Sequence, residues 1–224
     1  MKTNQNFKNS ALAALKGNWA PAVVSTIILF AVIILYTIPS LCISSLAEAP
    51  ESSMSDAFLA LALLPLMYFI QVFIYLPMMY VGYTNAAKQL IVDGDNNFVS
   101  NLFKNTFHGY WKNLGTSLLM GIYVFLWSLL FLIPGIIKSL SYSMTPYILK
   151  DYPELTADQA ITLSMKMMKG HKLDLFWLCL SFFGWGILNI FTLGIGTLWL
   201  MPYVMTTMAA FYQNLKTEYI NNNN

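Results

Sequence analysis

From Ala20 to Ile43 the chain runs without a single charged side chain. At about 1.5 Å per residue, a helix over this stretch is long enough to cross the roughly 30 Å hydrocarbon layer of a bilayer. Five more apolar segments follow, at Phe58–Tyr83, Leu114–Ile133, Ile136–Leu149, Leu173–Phe191 and Leu193–Phe211. A span needs about 20 residues, and only Ile136–Leu149 falls well short of that. Hydrophobic residues make up 57% of the 224 positions and charged residues 10%, with a mean hydropathy of +0.58. A soluble domain carries about a quarter charged residues. The chain has too little charge to cover a globule, so an all-α polytopic membrane protein is predicted. The N-terminus does not read as a cleaved leader, because the apolar run behind its polar head is about twice the length of a signal core.

The short segment lies within "FLIPGIIKSLSYS", which reads either as a tight hairpin or as one helix kinked at Pro134. Charge decides between them. All twelve cations are lysine, and arginine is absent. With a turn at Pro134-Gly135, every lysine but Lys138 falls on one side, which the positive-inside rule assigns to the cytoplasm. The other side then holds the 44–57 loop, with Glu48, Glu51 and Asp56 and no lysine. Six spans are expected, as three helical hairpins with both termini cytoplasmic. Lys138 sits just past the turn and is expected to extend to the outer surface. Trp19, Trp111 and Trp177 fall near inner ends of spans and Trp127, Trp185 and Trp199 toward outer ends, the pattern of two aromatic belts.

Short helical patterns separate the pairs of spans. "TADQAITLSMKMMK" opens with Thr156 and Gln159, a capping box, and sets Ala157, Ala160, Ile161, Met165 and Met168 on one face. "NNFVSNLFKNTFHG" follows Asn caps and places Val99, Leu102, Phe103 and Phe107 together, while "NFKNSALAALKG" does so with Phe7, Ala11, Ala14 and Leu15. These helices are too short to span and fit amphipathic helices in the cytoplasmic interface. Each ends at a glycine and is followed by a span: Gly17 with Trp19, Gly109 with Trp111, Gly170 with Lys172. These six positions are read as hinges between lying on the membrane and entering it. Pro77–Tyr80, Pro146–Tyr147 and Pro202–Tyr203 recur in the second span of each pair, and "YVGYTNAA" resembles "YVMTTMAA". The chain therefore reads as one membrane domain, 1–224, with three repeat units at 5–90, 96–150 and 155–215.

Chemistry-bearing residues are few. No span carries an interior Asp or Glu, and no metalloprotease, nucleophile-elbow or phosphate-loop motif is present. His108 and His171 sit at interface turns and make a poor metal pair. No cofactor or metal is expected, nor catalysis. An interfacial enzyme using Asp151, Glu154 or Asp158 is the minor alternative. Asp174 reads as a boundary charge, Cys42 and Cys179 as small apolar core residues, and Gln71, Asn85 and Asn189 as interhelical glue. The fourth segment is the polar one: Ser139, Tyr142 and Ser143 share a face with Pro146, and Lys138, Ser141 and Thr145 form an adjacent stripe. The stripe Lys138, Ser139, Tyr142, Ser143 and Thr145 lines a cavity or packs against neighbouring helices. Gly184, Gly186, Gly194 and Gly196 suggest close packing across a tight turn, or bare backbone beneath a ligand.

"IPGIIKSLSYSMTPYILKDYP", "AITLSMKMMKGHKLDLFWLCLSFFGWGIL" and "TLGIGTLWLMPYVMTTMAAFYQNL" together resemble the bacterial membrane-protein family catalogued as domain of unknown function 975, over about Ile133–Leu215. "ALKGNWAPAV" and "YWKNLGTSLL" resemble its earlier segments more loosely. The resemblance implies a multi-pass bacterial inner-membrane protein and supplies no site residues. The expected function is non-enzymatic interaction with membrane lipids, anionic ones in particular, or with another envelope protein, and not with nucleic acid. The alternative is a small-solute transporter or channel along the polar face of the fourth segment.

Overall fold

A computed structural model describes residues 3–47 and 53–223. Glu48 and Glu51 of the expected acidic loop lie outside the described residues. Among those described the chain is helical with no strand. The helices are α1 (Asn4–Leu15), α2 (Trp19–Ala47), α3 (Met54–Pro77), α4 (Thr84–Val92), α5 (Phe98–Phe107), α6 (Tyr110–Leu130), α7 (Leu132–Tyr142), α8 (Thr145–Asp151), α9 (Ala157–Met167), α10 (Lys172–Leu180), α11 (Phe183–Phe191) and α12 (Thr197–Asn223). Four stretches are long and apolar enough to cross a membrane: Trp19–Ser45, Met54–Val92, Tyr110–Leu130 and Lys172–Phe191.

The remaining two expected spans are not among these four. Ile136–Leu149 is divided, because α7 stops at Tyr142 and α8 begins at Thr145. Ser164 of α9 holds the break open: its hydroxyl donates to the Ser141 carbonyl at 2.7 Å and accepts the Met144 N–H at 3.2 Å. Both backbone groups would otherwise be buried without a partner. Leu193–Phe211 lies mostly inside α12, which continues to Asn223. The turn expected at Pro134-Gly135 sits earlier, at Phe131, whose extended backbone separates α6 from α7. Pro134 belongs to the first turn of α7, where a missing N–H costs no helical hydrogen bond.

The three expected hinges have a common geometry. Gly17, Gly109 and Gly170 take φ of +84°, +73° and +90°, the left-handed region in which a Cβ is strained. Each reverses the chain after α1, α5 or α9, so that Trp19 and Lys172 open α2 and α10 while Trp111 lies in the first turn of α6. Trp111 is 77% exposed, as a residue facing outward from the protein must be.

The helices before the hinges bury one side against protein. Phe7, Ala11 and Leu15 of α1 and Ala160, Ile161, Ser164 and Met167 of α9 are buried. Phe7 meets Phe211 edge-on at 5.4 Å, which seats α1 along α12. The expected capping box on α9 is present, with Thr156 accepting from the Gln159 N–H and Gln159 from the Thr156 N–H. The α5 face departs from expectation. Phe98, Asn101, Leu102, Asn105 and Thr106 are buried, whereas Phe103 and Phe107 are exposed and stack on each other at 6.3 Å. An apolar pair four residues apart gives the same periodicity whether it faces protein or lipid. Asn97 makes no side-chain cap on α5; Asp95 instead accepts from the Asn97 N–H and from the side chains of Asn97 and Asn101.

The core gathers where these short helices meet the ends of the long ones: Tyr83, Ala86, Ala87, Leu102, Ile148, Met168, Ala209 and Phe211 are all fully or almost fully buried. The small pairs Ala86-Ala87 and Ala209-Ala210, from the two similar octapeptides, lie in α4 and α12, which pack together. Before α4 the chain widens into a π-helical turn at Met78–Tyr83, directly after Pro77. Gly82 in that turn abuts α5 so closely that a Cβ would stand 2.7 Å from the Leu102 carbonyl oxygen.

Outside this core the helices are apolar on their surfaces. Cys42 and Cys179, expected in the core, are both exposed. Gly184 and Gly186 have open space beside them, so they do not mark close packing; Gly196 does, its Cβ position lying 2.7 Å from Asn189 Oδ1. Asn189 acts within its own turn, donating to Thr197. Trp19, Trp185 and Trp199, expected at opposite ends of their spans, border one cavity of about 470 Å³.

Candidate functional site

A second cavity, of about 670 Å³, opens between α6, α7, α8 and α12. Ser139, Tyr142 and Ser143 of the predicted stripe border it, together with Pro146 and Tyr147. Lys138 does not; its ammonium lies over the Trp127 ring, 4.4 Å from the centroid. Thr145 does not either, being fully buried with its hydroxyl unpartnered. The walls opposite are Met79, Met120, Met205 and Met208 with Phe125, flexible thioethers that adapt to irregular apolar guests.

The serine and threonine hydroxyls bordering this space are turned inward on their own helices. Ser139 donates to the Ile136 carbonyl, Ser143 to Leu140 and Ser128 to Val124, each at 2.8 Å. Thr84 donates to Tyr80. These four side chains therefore offer few free donors, whereas the Tyr147 hydroxyl, also of a bordering residue, is buried without a partner. Gly121 leaves open space on the α6 wall, with nothing within 4 Å of its Cβ position.

A third cavity, of about 310 Å³, is polar. It is bordered by Asn85 and Lys88 of α4, Lys150 and Asp151 of α8, and Gln213 and Lys216 of α12. The same three helices reach the Met-lined cavity through Thr84, Tyr147 and Met208. The two spaces thus lie at successive levels of one three-helix frame. Between them Tyr147 and Tyr212 stack at 4.8 Å. Asn85 ties α4 to α8 by donating to the Pro146 carbonyl at 2.9 Å, and its Oδ1 has no partner.

Asp151 organises the charged level. Lys88 bonds one carboxylate oxygen; Lys216 and the Tyr212 hydroxyl bond the other, each at 2.7 Å. Burial raises the carboxyl's pKa, and the hydrogen bonds from Lys216, Lys88 and Tyr212 more than offset this, leaving it below the ordinary carboxylate value. Lys150 has no carboxylate partner among the described residues and donates to the His108 carbonyl at 2.9 Å. Burial, then the neighbouring charges of Lys88 and Lys112, lower its pKa to about 8. Of the three acids named from sequence, only Asp151 enters this cluster. Asp158 accepts from Tyr123 at 3.3 Å, and Glu154 is exposed. Asp174 is a surface carboxylate near His171. Among the described residues no group of three His, Cys, Asp or Glu side chains is placed to hold a metal.

Little in the sequence signalled this cluster. Lys88, Asp151 and Lys216 are 63 and 65 positions apart and each reads locally as an interface charge. A Lys inside a long apolar helix, as Lys88 is, was the one available hint.

Residues 129–219 match the family model described as a protein of unknown function, DUF975. The match runs from the end of α6 through most of α12, and so contains two of the three helices that frame both cavities. No curated protein and no solved structure matches the chain.

Proposed function

We propose that the protein is a non-enzymatic, six-span bacterial inner-membrane protein, with both termini cytoplasmic, that holds a lipid-like amphiphile in the Met-lined cavity. The supporting observation is the cavity's lining: Ser128, Ser139 and Ser143 give their protons to their own helices, beside Met79, Met120, Met205, Met208 and Phe125. A hydrated ion or sugar needs donors and acceptors to replace its water, whereas an acyl chain needs adaptable apolar contact. The charged frame stands on the lysine-rich side, which the positive-inside rule makes cytoplasmic. In this reading the short helices attract anionic lipid through exposed lysines such as Lys104 and Lys166, since their buried faces are already committed to protein.

A solute path is the second reading. It is favoured by the stacking of an apolar and a polar cavity on the same helices, with Tyr147 and Tyr212 between them. One substitution separates the two. Gly121→Phe places a ring in open space and fills the Met-lined cavity. Lipid extracted from the purified wild-type protein and weighed by mass spectrometry is expected to include a stoichiometric species that falls at least fivefold in the variant, with the melting temperature preserved. Equal lipid content in the two proteins would overturn the lipid reading.

A further inference from the structure

The polar cavity is a site of a different kind. Its charged border is Lys88, Lys150 and Lys216 against Asp93 and Asp151, three cations to two carboxylates. Asp151 is saturated, since both of its oxygens accept hydrogen bonds from Lys88, Lys216 and Tyr212. It acts as a post that fixes two ammonium groups on the cavity wall. An ammonium has three N–H donors. Lys88 and Lys216 each give one to Asp151 and Lys150 gives one to a neutral carbonyl, so donors remain on all three. Lys88 is 9% exposed, a buried cation rather than a surface lysine. Burial first, and then the charges of Lys88 and Lys112, lower the proton affinity of Lys150.

We propose that this cavity binds a singly charged phosphate oxyanion between Lys88, Lys150 and Lys216. The three lysines come from three helices, α4, α8 and α12, and border one cavity from different sides of its wall. That suits a tetrahedral oxyanion, whose unesterified oxygens point in different directions and can each meet a separate point charge. A planar carboxylate is served best by the fork of an arginine, and the chain has none. The excess of one positive charge matches a phosphodiester or a phosphate monoanion better than a doubly charged ester. The Gln213 carboxamide, which bonds no other group among the described residues, borders the same space and offers further donors. The site is independent of the lipid reading of the Met-lined cavity: a phosphate group held here comes from a lipid headgroup or from free phosphate.

The test uses the full chain in a neutral detergent at pH 6.5, where inorganic phosphate is mainly singly charged, with acetic anhydride labelling of individual lysines followed by mass spectrometry. Three additions are compared at matched ionic strength: sodium phosphate, monomeric dihexanoyl phosphatidylglycerol, and sodium chloride. Lys150 acetylation is expected to fall at least fivefold, saturably, with a phosphate-bearing compound and not with chloride, while exposed Lys166 is unaffected. Protection by both phosphate compounds assigns the site to the phosphate group itself; protection by the phosphatidylglycerol alone assigns it to a lipid headgroup. Lys216→Gln and Gln213→Glu, the second of which adds a carboxylate and removes no existing contact, are expected to weaken protection tenfold or more. Slowing by chloride equal to that by phosphate, or unchanged protection in a folded Gln213→Glu variant, would overturn the proposal. Neither outcome bears on the lipid content measured for Gly121→Phe.

Discussion

Around Asp151, Tyr83, Leu102, Tyr147 and Phe211 are each at most 1% exposed, and Asn85, Asn113 and Lys88 are buried among them. Along α3, Phe58, Leu61, Tyr68 and Phe69 are each more than half exposed. The two regions draw on similar aromatic and aliphatic residues. At the first, short helices fold back over the ends of the long ones, so apolar side chains find protein and the buried amide groups of Asn85, Asn101, Asn105 and Asn113 find acceptors. Asn113 alone donates to the carbonyls of Asn105, Thr106 and His108. At the second, no short helix covers the shafts, and the apolar surface is left for lipid. Specific packing is concentrated at the charged end, and that is where substitutions are expected to be felt.

The largest effect expected is for Asp151→Asn. It removes the carboxylate that compensates Lys88 and Lys216, and breaking a buried ion pair costs about 3–5 kcal/mol. Thermal unfolding in detergent reads this directly, and a melting temperature within 2 °C of wild type would show that the cluster does not hold the frame (a shift of that size is about 1 kcal/mol or less). The same group sets a pH dependence. The Asp151 pKa is depressed in the folded state, so its contribution is present above the ordinary carboxylate pKa of about 3.9 and is lost as pH falls through the folded value. Wild type is expected to lose more stability than Asp151→Asn between pH 5 and pH 3.

Gly82→Ala comes next. A Cβ there collides with the Leu102 carbonyl, and such overpacking costs about 1–3 kcal/mol. Hydrogen exchange of the α4 and α5 amides should rise together. Gly109→Ala strains a residue at φ +73° without any steric contact, for about 1–2 kcal/mol. An unchanged melting point there would mean that the hinge is not held in its left-handed form. The smallest effect is expected at the lipid-facing end: Gly184→Ala adds a methyl to open space and should shift stability by no more than about 0.5 kcal/mol. A large loss at Gly184 would break the contrast between the two ends.

Much of this was legible in the chain before any coordinates. Four apolar stretches long enough to span, the glycine hinges after α1, α5 and α9, and the Thr156–Gln159 cap follow from local composition and spacing, because helix formation and bilayer length depend on neighbouring residues. Ser139, Tyr142 and Ser143 share a face for the same reason. Local spacing alone left open whether that face met a cavity, and it misplaced Phe103 and Phe107, since the period of a helix does not say what lies opposite. The break at Ser143–Met144 depends on Ser164, twenty positions away from Met144. The charged frame depends on α4, α8 and α12 arriving side by side. Sequence by itself determined which segments are apolar and where the glycine hinges fall. Tertiary structure decided which polar groups meet, because Lys88, Asp151 and Lys216 interact through space, at distances that only the packing of three helices sets.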